Sequence, residues 1–282
     1  MFSIIIPTLN NLDYLKLCIK SIKKNSKLKN EILVHVSEDL QKKTRIFLES
    51  ENINYSYTEK NVGLCTAINV IADKASNEYL IYVHDDMYFC PDWEEPLINE
   101  IKSLNHNKFY ISGSMIEPNS GHLKFNCGET IENFDESKLL NNIKNLNIPD
   151  HQGSHFAPHC IHIDIWKKIG GFSEEFNPGI ASDPDFNMKL WIIGCRIFKG
   201  LNAFKVYHFG SLTTRKNKKV KVNRGDNTFL MKWGISTSFF KKYYLRSKTR
   251  YNGPLKDPNK NFVYYFDLLK CKVKLFYLKL NS

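Results

Sequence analysis

Residues 79–87 read YLIYVHDDM, so that an apolar run of five residues ends at a histidine and two aspartates. The apolar run predicts a β-strand. In α/β folds, ligands bind outside the carboxyl ends of such strands. Asp85 and Asp86 could therefore hold a divalent cation, which would neutralise a bound diphosphate. A solvated turn or a helix cap is the simpler explanation of two adjacent aspartates, and the surrounding sequence has to decide between the two.

The sequence before this strand alternates between short strand-like runs and stretches whose apolar residues have helical spacing. Strands are predicted at residues 2–7, 31–36, 53–58 and 79–83. Helices are predicted between them, at residues 12–24, 41–49 and 65–74. This alternation is typical of βαβ units. It predicts an α/β fold in which a mixed, mainly parallel, Rossmann-like sheet is flanked by helices.

The sequence after this strand follows the pattern less regularly. A further strand is predicted at residues 109–116, and helices are predicted at residues 165–170 and 183–194. Between them, residues 117–152 form a polar stretch rich in asparagine, with one helix predicted near residues 136–145. Long insertions of this kind are usually functional loops.

The net charge of +11 is distributed very unevenly along the 282 residues. Residues 211–282 contain 18 basic and 3 acidic side chains, a net of +15, which leaves residues 1–210 with a net of −4. The last segment, residues 262–280, predicts an amphipathic helix whose lysines lie beside leucine and aromatic residues. Such a helix could lie on an anionic membrane surface, or pack on the rest of the chain or on a second copy. No nucleic-acid-binding motif is present, so nucleic acid is not an expected partner.

The cysteines and the amino terminus indicate the compartment. The seven cysteines are scattered and include no C-x-x-C pair, which argues against a disulfide framework and against a cysteine zinc site. The amino terminus has no charged segment before its short apolar run, and no apolar stretch reaches 18 residues. We therefore expect a cytoplasmic protein, with peripheral binding to the inner face of the membrane as an open possibility. The oligomeric state is also open.

Two other clusters contain side chains that could take part in catalysis or in metal binding. Asp183 and Asp185 lie in the first turn of the predicted helix at residues 183–194, where a carboxylate could deprotonate a hydroxyl nucleophile. Favourable interaction with the helix dipole is the alternative explanation. His208 follows the apolar run Val206–Tyr207 and is either a core residue or a metal ligand.

Four further histidines, at spacings of three and four residues, suggest a zinc site on one helical face. They are His151, His155, His159 and His162. Gly153 and Pro158 interrupt the segment, however, and no cysteine or acid completes the ligand set, so a zinc site is disfavoured.

Six segments, in this order along the chain, resemble glycosyltransferase family 2, whose members are nucleotide-sugar enzymes with the GT-A fold. They are FSIIIPTLN at residues 2–10, EKNVGL at 59–64, VHDDM at 83–87 with PDW at 91–93, WKKIGGFSEEF at 166–176, SDPD at 182–185 and H-x-G at 208–210. The resemblance spans about residues 2–234. It implies a GT-A catalytic domain at 1–234, with a nucleotide-binding half at 1–86 and an acceptor half at 87–234. Residues 235–282 would form a basic, aromatic extension.

The resemblance also implies an activity and a set of site residues. The activity is a hexosyltransferase-type transfer in polysaccharide biosynthesis, from a nucleotide-diphosphate sugar to a hydroxyl of a glycan or glycolipid, with Mn²⁺ or Mg²⁺. Asp183 would be the base of an inverting reaction, and Asp86 and His208 would bind the metal. The implied contacts to the nucleotide-sugar are Pro7, Thr8, Asn10, Glu38, Asn61, Gly63, Asp85 and Asp86. The implied contacts to the acceptor are His155, His159 and Asp185.

The sequence departs from the family pattern at two positions. His84 occupies the first acidic position of the D-x-D motif, which leaves metal-independent activity as an alternative. Glu38 lies in the segment VSED, where the family commonly has Asp-Asp-Gly-Ser, so the identity of the base is open. Two other functions also remain: a GT-A scaffold that binds a nucleotide-sugar without transferring it, and a basic module that binds a membrane or nucleic-acid surface.

Overall fold

The computed structural model describes residues 1–210 and 224–281, so most of the basic run that starts at Arg215 lies outside the described residues. Ten strands are present in these ranges: β1 (Phe2–Leu9), β2 (Glu31–Ser37), β3 (Asn54–Thr58), β4 (Tyr79–Tyr82), β5 (Met87–Phe89), β6 (Phe109–Glu117), β7 (Leu123–Lys124), β8 (His151–Gln152), β9 (His159–His162) and β10 (Ile197–His208). The helices of the first 210 residues are α1 (Leu12–Asn25), α2 (Lys43–Ser50), α3 (Leu64–Ala72), α4 (Glu94–Ser103), α5 (Glu136–Asn142), α6 (Ile163–Ile169) and α7 (Ser182–Ile192).

All ten strands belong to one sheet, in the order β3-β2-β1-β4-β9-β6-β10-β5, with β7 paired to β6 and β8 paired to β10. The strands β3, β2, β1 and β4 are parallel, β9 runs antiparallel between β4 and β6, and β5 runs antiparallel to β10. The predicted mixed and mainly parallel sheet is therefore confirmed. Because β1 to β4 are parallel, their carboxyl ends meet at one edge of the sheet.

The strands and helices form where the apolar pattern predicts them. Strand β1 is almost entirely buried, as expected for a central strand covered by helices. Helix α1 buries the residues that have helical spacing, including Leu15, Cys18 and Ile22, and packs beside β5. Helix α3 packs on β1 and β2. The burial of these apolar faces fixes the parallel strands and, with them, the loops at their carboxyl ends.

The polar stretch at residues 117–152 is more ordered than its composition suggests. It contains β7, a short 3₁₀ turn at Ile131–Asn133, α5 and β8. It also has a small apolar core of its own, formed with residues of α1, β5 and β10. The members of this core are Tyr14, Tyr88, Cys90, Ile116, Cys127, Leu139, Tyr207 and Phe209. This core anchors the insertion beside the end of β10.

The carboxyl-terminal segment packs into the main core and is not a detached tail. It consists of α8 (Gly225–Trp233), α9 (Thr237–Phe239), a π-helical turn (Phe240–Leu245) and α10 (Phe262–Leu280). Its buried apolar residues belong to the same hydrophobic cluster as the sheet, and they include Ile235, Phe239, Phe240, Leu245 and Leu255. None of the helices in the described ranges has both the length and the hydropathy needed to cross a bilayer.

Candidate active site

The carboxyl edge of the parallel strands brings the ends of β1 and β4 together. Thr8 donates a hydrogen bond from its hydroxyl to Asp85 Oδ2 at 2.6 Å, and Asn11 donates from its amide to Asp85 Oδ1 at 3.0 Å. Pro7 and Thr8 are buried in β1, whereas Asn10 is exposed and has a left-handed φ of 51°. The first loop therefore holds the Asp85 carboxylate through Thr8 and Asn11, and of the implied contacts in this loop only Asn10 faces solvent.

A second loop lies beside the end of β2. The Asn61 backbone N–H donates to Glu38 Oε1 at 3.0 Å, and Gly63 N–H donates to Asn61 Oδ1 at 2.9 Å. Gly63 has a φ of +84°, and a Cβ there would lie within 2.4 Å of the Asn177 side chain. Asn177 in turn accepts a hydrogen bond from Cys65 N–H and donates one to the Val62 carbonyl. This loop is thus tied to the segment that leads into α7, which requires glycine at position 63.

His84, Asp86 and His208 form the one grouping of possible metal ligands found in the described ranges. Their ligand atoms all lie within 4.8 Å of one another. The antiparallel pairing of β5 and β10 places His208 opposite Met87, so that His208 Nε2 comes to 3.3 Å from Asp86 Oδ1. Glu117, at the end of β6, accepts a hydrogen bond from His208 Nδ1 at 2.5 Å. Asp86 and His208 were implied as ligands, whereas His84 and the supporting Glu117 were not foreseen.

The electrostatics of this cluster suit a bound cation. Burial works to lower the pKa of His208, but the hydrogen bonds and negative charges of Asp86 and Glu117 raise it to about 9. Positive charge is therefore favoured at this position. Burial lowers the pKa of His84 to about 4, so its imidazole is neutral and available as a ligand at neutral pH. Burial and the adjacent Asp86 raise the pKa of Asp85, which also favours a cation nearby.

Asp183 lies in the first turn of α7, which starts after Ala181 in a left-handed conformation with a φ of 64°. The negative charge of Asp183 contributes to the raised pKa values of Cys65, Tyr82 and Tyr110. Because Tyr82 is the last residue of β4, Asp183 lies beside the carboxyl end of this strand. The Tyr82 ring is 5.5 Å from the His84 ring, so Asp183 and the metal-ligand cluster flank the same strand end.

Burial raises the pKa of Asp183 to about 7, although the positive charge of Lys241 opposes this effect. A carboxylate with this pKa can accept a proton near neutral pH.

Asp185 has a different environment from the one implied for an acceptor contact. Its side chain is fully buried. It accepts hydrogen bonds from Ser173 Oγ at 2.6 Å and Trp233 Nε1 at 2.8 Å, and it pairs with Lys232 Nζ at 2.9 Å. The side chain is fully buried and has three partners, so it offers no surface to an acceptor in this conformation. We correct the expectation accordingly: Asp185 joins α7 to α8 and positions the first turn that carries Asp183.

The implied acceptor contacts His155 and His159 are both buried. His159 lies on β9, where its Nδ1 is 2.9 Å from the Tyr110 hydroxyl and its ring packs among the rings of Tyr82 and Phe186. It is a core residue and has no surface for an acceptor in this conformation. His155 donates from Nδ1 to the Gly153 carbonyl at 3.0 Å, and its ring centre lies 3.9 Å from that of the partly exposed Phe156, with the two planes tilted by 37°. Burial and, to a smaller extent, the positive charge of Lys241 lower the pKa of His155 to about 4.

The histidines at 151, 155, 159 and 162 do not share a helical face. His151 is on β8, His159 and His162 are on β9, and His155 is in the loop between these strands. His162 instead accepts a hydrogen bond from Asp164 N–H and caps α6. In the ranges that the structure describes, these four residues belong to no group of possible metal ligands.

Part of the carboxyl-terminal segment borders the candidate site. The positive charge of Lys241, on the π-helical turn, works to lower the pKa of Asp183. Lys241 Nζ lies 5.9 Å from the ring centre of Phe156. Further along this segment, Arg246 and Arg250 line a cavity of about 710 Å³ that contains none of the implied site residues. The sequence left packing of the basic segment on the rest of the chain as one alternative, but nothing in its pattern shows which face packs inward.

Comparison with known proteins gives both a family and a fold. The family described as Glycosyl transferase family 2 matches residues 3–160, more than half of the chain. A search of curated proteins gave no match. Among solved structures, the chain is similar to S. aureus TarS 1-349, with 18% identity and a TM-score of 0.55, covering 73% of this chain and 60% of that chain.

Two other solved structures contain ligands. One is GalNAc-T7 with UDP, GalNAc and Mn²⁺, at 18% identity and a TM-score of 0.57, covering 74% of this chain and 43% of that chain. The other is S. aureus TarS 1-349 in complex with UDP-GlcNAc, at 17% identity and a TM-score of 0.54, covering 74% of this chain and 60% of that chain. The chain thus spans less than two thirds of each of these chains. At such identity the likeness shows the fold alone, and it confirms the expected GT-A fold.

Proposed function

This chain belongs to glycosyltransferase family 2, and we propose that it transfers a sugar from a nucleotide-diphosphate sugar to a hydroxyl of a glycan or glycolipid acceptor. One observation carries this proposal. The metal-ligand cluster of His84, Asp86 and His208 and the Asp183 carboxylate, whose pKa is about 7, flank the same end of strand β4. A donor diphosphate and an acceptor hydroxyl need these two kinds of group side by side.

The donor proposed for this chain is a UDP-sugar of the hexose type. The support comes from similar folds, since the solved structures of TarS and GalNAc-T7 contain UDP-GlcNAc and UDP with GalNAc respectively. Glu38, Asn61 and Gly63 would lie along the nucleoside, where their hydrogen bonds to one another shape the loop. Asp85, held by Thr8 and Asn11, would contact the ribose or the donor sugar.

The proposed metal ligands are His84, Asp86 and His208. A cation held there would neutralise the diphosphate leaving group and orient it. Two imidazoles beside one carboxylate favour a transition metal such as Mn²⁺ over Mg²⁺, which prefers oxygen ligands. Glu117 would orient the His208 ring through its Nδ1 hydrogen.

Asp183 is the proposed base. It would accept the proton of the acceptor hydroxyl as that oxygen attacks the anomeric carbon and the bond to the diphosphate breaks, so that the proton ends on a carboxylate oxygen of Asp183. With Asp183 as the one proposed catalytic carboxylate, direct displacement with inversion is the expected stereochemistry. Burial supports this role, because it raises the basicity of the carboxylate to the neutral range.

The proposal is tested in two steps. A thermal-shift series with UDP, GDP, dTDP and CMP, each with Mn²⁺ or with EDTA, identifies the nucleotide, since binding to the folded state raises the melting temperature. Hydrolysis of the corresponding nucleotide-sugar is then measured for wild type and for Asp183→Asn. We expect a loss of about 10²- to 10⁴-fold. Asp164→Asn, at an exposed helix start, is the matched control. Nucleotide binding without turnover in any of the three proteins would favour a scaffold without transfer activity, and equal turnover in Asp183→Asn and wild type would contradict the role of Asp183 as the base.

We also propose that α10 rests on an anionic membrane surface, as expected for an enzyme of polysaccharide biosynthesis at the inner face of the membrane. Exposed apolar residues on α10 recur every three or four positions: Phe262, Phe266, Leu269, Val273, Phe276 and Leu280. The opposite face, with Tyr264 and Cys271, packs on the rest of the protein. The cytoplasmic location itself remains a prediction from the sequence.

A further inference from the structure

Lys241 is held in a fixed position relative to Asp183. The residues at both ends of its π-helical turn, Phe240 and Leu245, are fully buried in the core. Tyr244 of the same turn packs edge-on against Trp191 of α7, with ring centres 5.2 Å apart. The turn is therefore anchored to the helix whose first turn carries Asp183. Each of the two charged groups acts on the ionisation of the other.

Lys241 has no ion-pair partner in residues 1–210 and 224–281, although it is partly buried. Its neighbour Lys242, by contrast, is exposed and bonds to Asp267 at 2.7 Å. Burial lowers the pKa of Lys241, and the negative charges of Asp183 and Asp226 oppose this effect without reaching ion-pair distance in the described part of the chain. A desolvated cation without a partner is costly unless a ligand supplies the missing charge.

The surroundings of Lys241 are those of a substrate contact. Phe156, partly exposed at 38%, lies 5.9 Å from Lys241 Nζ and offers an aromatic face beside the ammonium group. His155 is 96% buried, since only 4% of its side chain is exposed, and its Nε2 has no hydrogen-bond partner in the described part of the chain. Because its Nδ1 donates to the Gly153 carbonyl, Nε2 can only accept. This corner therefore combines a cation, an aromatic ring and a hydrogen-bond acceptor, all without polar partners.

We propose that Lys241 binds an anionic group of the acceptor, a phosphate or a carboxylate, beside the hydroxyl that Asp183 deprotonates. This inference rests on the proposed function and adds the substrate class: the acceptor is an anionic glycan or a phosphate-bearing acceptor. The net charge of residues 1–210 is −4, so this part of the chain would otherwise repel such a substrate. The positive charge of Lys241, from the basic carboxyl-terminal segment, offsets this repulsion at the position where the reaction takes place.

The test uses three sugars with the same ring and different groups at carbon 6: glucose, glucuronate and glucose 6-phosphate. Their binding to the full chain is measured by saturation-transfer NMR, with the donor site occupied by UDP and Mg²⁺, a diamagnetic substitute for Mn²⁺, whose paramagnetism would broaden the signals. We expect one or both anionic sugars to bind about tenfold more tightly than glucose, which corresponds to one hydrogen bond to a charged group. The comparison of glucuronate with glucose 6-phosphate shows whether the carboxylate or the phosphate is preferred.

Lys241→Met should abolish this preference, Lys241→Arg should keep most of it, and Lys242→Met is the matched control that should not change it. An absence of preference in wild type, or its persistence in Lys241→Met, would overturn the proposal. If Lys241→Met moved only the pH profile of the reaction, Lys241 would merely tune Asp183, and the proposal would also be rejected. Asp183→Asn should retain the preference while losing turnover, so failure of the base and failure of the anion contact give different results.

Discussion

At the scale of single residues, Glu117 decides how well His208 can serve as a ligand. Its carboxylate is buried and accepts the Nδ1 hydrogen of His208, which leaves Nε2 directed towards Asp86. Partners of this kind fix the tautomer and the orientation of a ligating imidazole, and their loss typically costs 10- to 100-fold in metal affinity. We therefore expect Glu117→Gln to weaken Mn²⁺ binding by about that factor.

The measurement is a Mn²⁺ titration followed by electron paramagnetic resonance of the free ion. Glu129→Gln, an exposed glutamate in the same insertion, is the control and should bind Mn²⁺ like wild type. Equal affinity of Glu117→Gln and wild type would show that Glu117 is not needed to orient His208. Loss of binding in both variants would indicate a general effect of the insertion on the site.

The raised pKa of Asp183 predicts how activity depends on pH. A base with a pKa of about 7 is protonated below that value, so kcat/KM should fall as the pH drops below 7 and level off above it. The positive charge of Lys241 opposes the rise, so Lys241→Met should move the acidic limb to higher pH. The profile of nucleotide-sugar hydrolysis between pH 5 and 9 checks both expectations. A limb that stays in place in Lys241→Met would contradict the assignment of the limb to Asp183.

The same pKa also has a consequence for stability. The folded-state pKa of Asp183 is about 7, above the value of about 3.9 for an unfolded aspartate. Ionisation therefore destabilises the fold, and stability is lost as the pH rises from about 4 to about 7. Asp183→Asn should have a higher melting temperature than wild type at pH 8 and little or no gain at pH 4. If Asp183→Asn raised the melting temperature equally at both pH values, the ionisation of Asp183 would not be the cause.

The sequence alone identified the site residues that lie at the end of a predicted strand or at the start of a predicted helix. Asp86, His208 and Asp183 each follow a strand or start a helix, and the resemblance named a role for each of them. His84 was read only as a departure from the D-x-D motif, although an imidazole can replace a carboxylate as a ligand. Glu117 gave no signal, because it reaches the site only through the pairing of β6 with β10.

At the scale of secondary-structure elements, the Asp185 cluster controls the position of α7. The fully buried carboxylate joins α7 to α8 through Trp233 and Lys232. Trp233→Phe keeps an aromatic ring but removes part of the indole together with its N–H donor, which leaves Asp185 Oδ1 with Lys232 as its remaining partner. We expect the free energy of unfolding to fall by about 1–3 kcal/mol. We also expect kcat to fall without a comparable change in nucleotide affinity, because Asp183 lies two residues from Asp185.

The chain offers a close control for this substitution. Trp93 is fully buried, whereas Trp233 is half-buried, and Trp93 Nε1 has no hydrogen-bond partner in the described ranges. Trp93→Phe therefore removes the same atoms without breaking a hydrogen bond, and its kcat should stay close to that of wild type. Urea unfolding and the kcat of both variants and of wild type give the comparison. An equal loss of kcat in Trp93→Phe would show that reduced stability, and not the broken bond to Asp185, lowers turnover.

The elements with a regular apolar period were predicted most closely. Helix α1 was expected at residues 12–24 and spans Leu12–Asn25, and α10 spans Phe262–Leu280 as its pattern indicated. The period does not show which strands pair, however. The antiparallel strands β5 and β9 bring His208 beside Asp86 and bury His159, and both effects depend on long-range pairing. Within residues 117–152 the sequence predicted only the helix near residues 136–145, and the rest of the order was missed for the same reason, since the small core includes residues from α1, β5 and β10.

At the scale of the whole molecule, the two charge regions are parts of one packed structure. Residues 235–245 contribute to the main core, so a chain that ends near Gly234 would lose Ile235, Phe239 and Phe240 from it. Truncation would therefore report on folding as well as on surface binding. The role of the basic segment has to be tested with substitutions of exposed residues on α10, where the fold does not depend on the side chain.

The exposed stripe of α10 is better suited to an anionic bilayer than to a second copy of the chain. The charged residues exposed beside it are all lysines: Lys270, Lys272, Lys274 and Lys279. The one acid of the helix, Asp267, is already bound by Lys242 and Tyr243. Two such stripes facing each other would bring like charges together, whereas anionic lipid attracts each lysine near the surface by about 1 kcal/mol.

We therefore expect the full chain to co-sediment with vesicles that contain 30% anionic phospholipid and not with neutral vesicles, and we expect added salt to weaken the binding. The double variant Phe266→Ser and Phe276→Ser should lose most of the binding because it removes apolar area that enters the interface. Ile46→Ser changes an isolated apolar residue with 60% exposure on α2 and should bind like wild type. Sedimentation equilibrium without lipid completes the test: a dimer that the double variant abolishes, together with equal vesicle binding of all three proteins, would assign the stripe to a second copy instead.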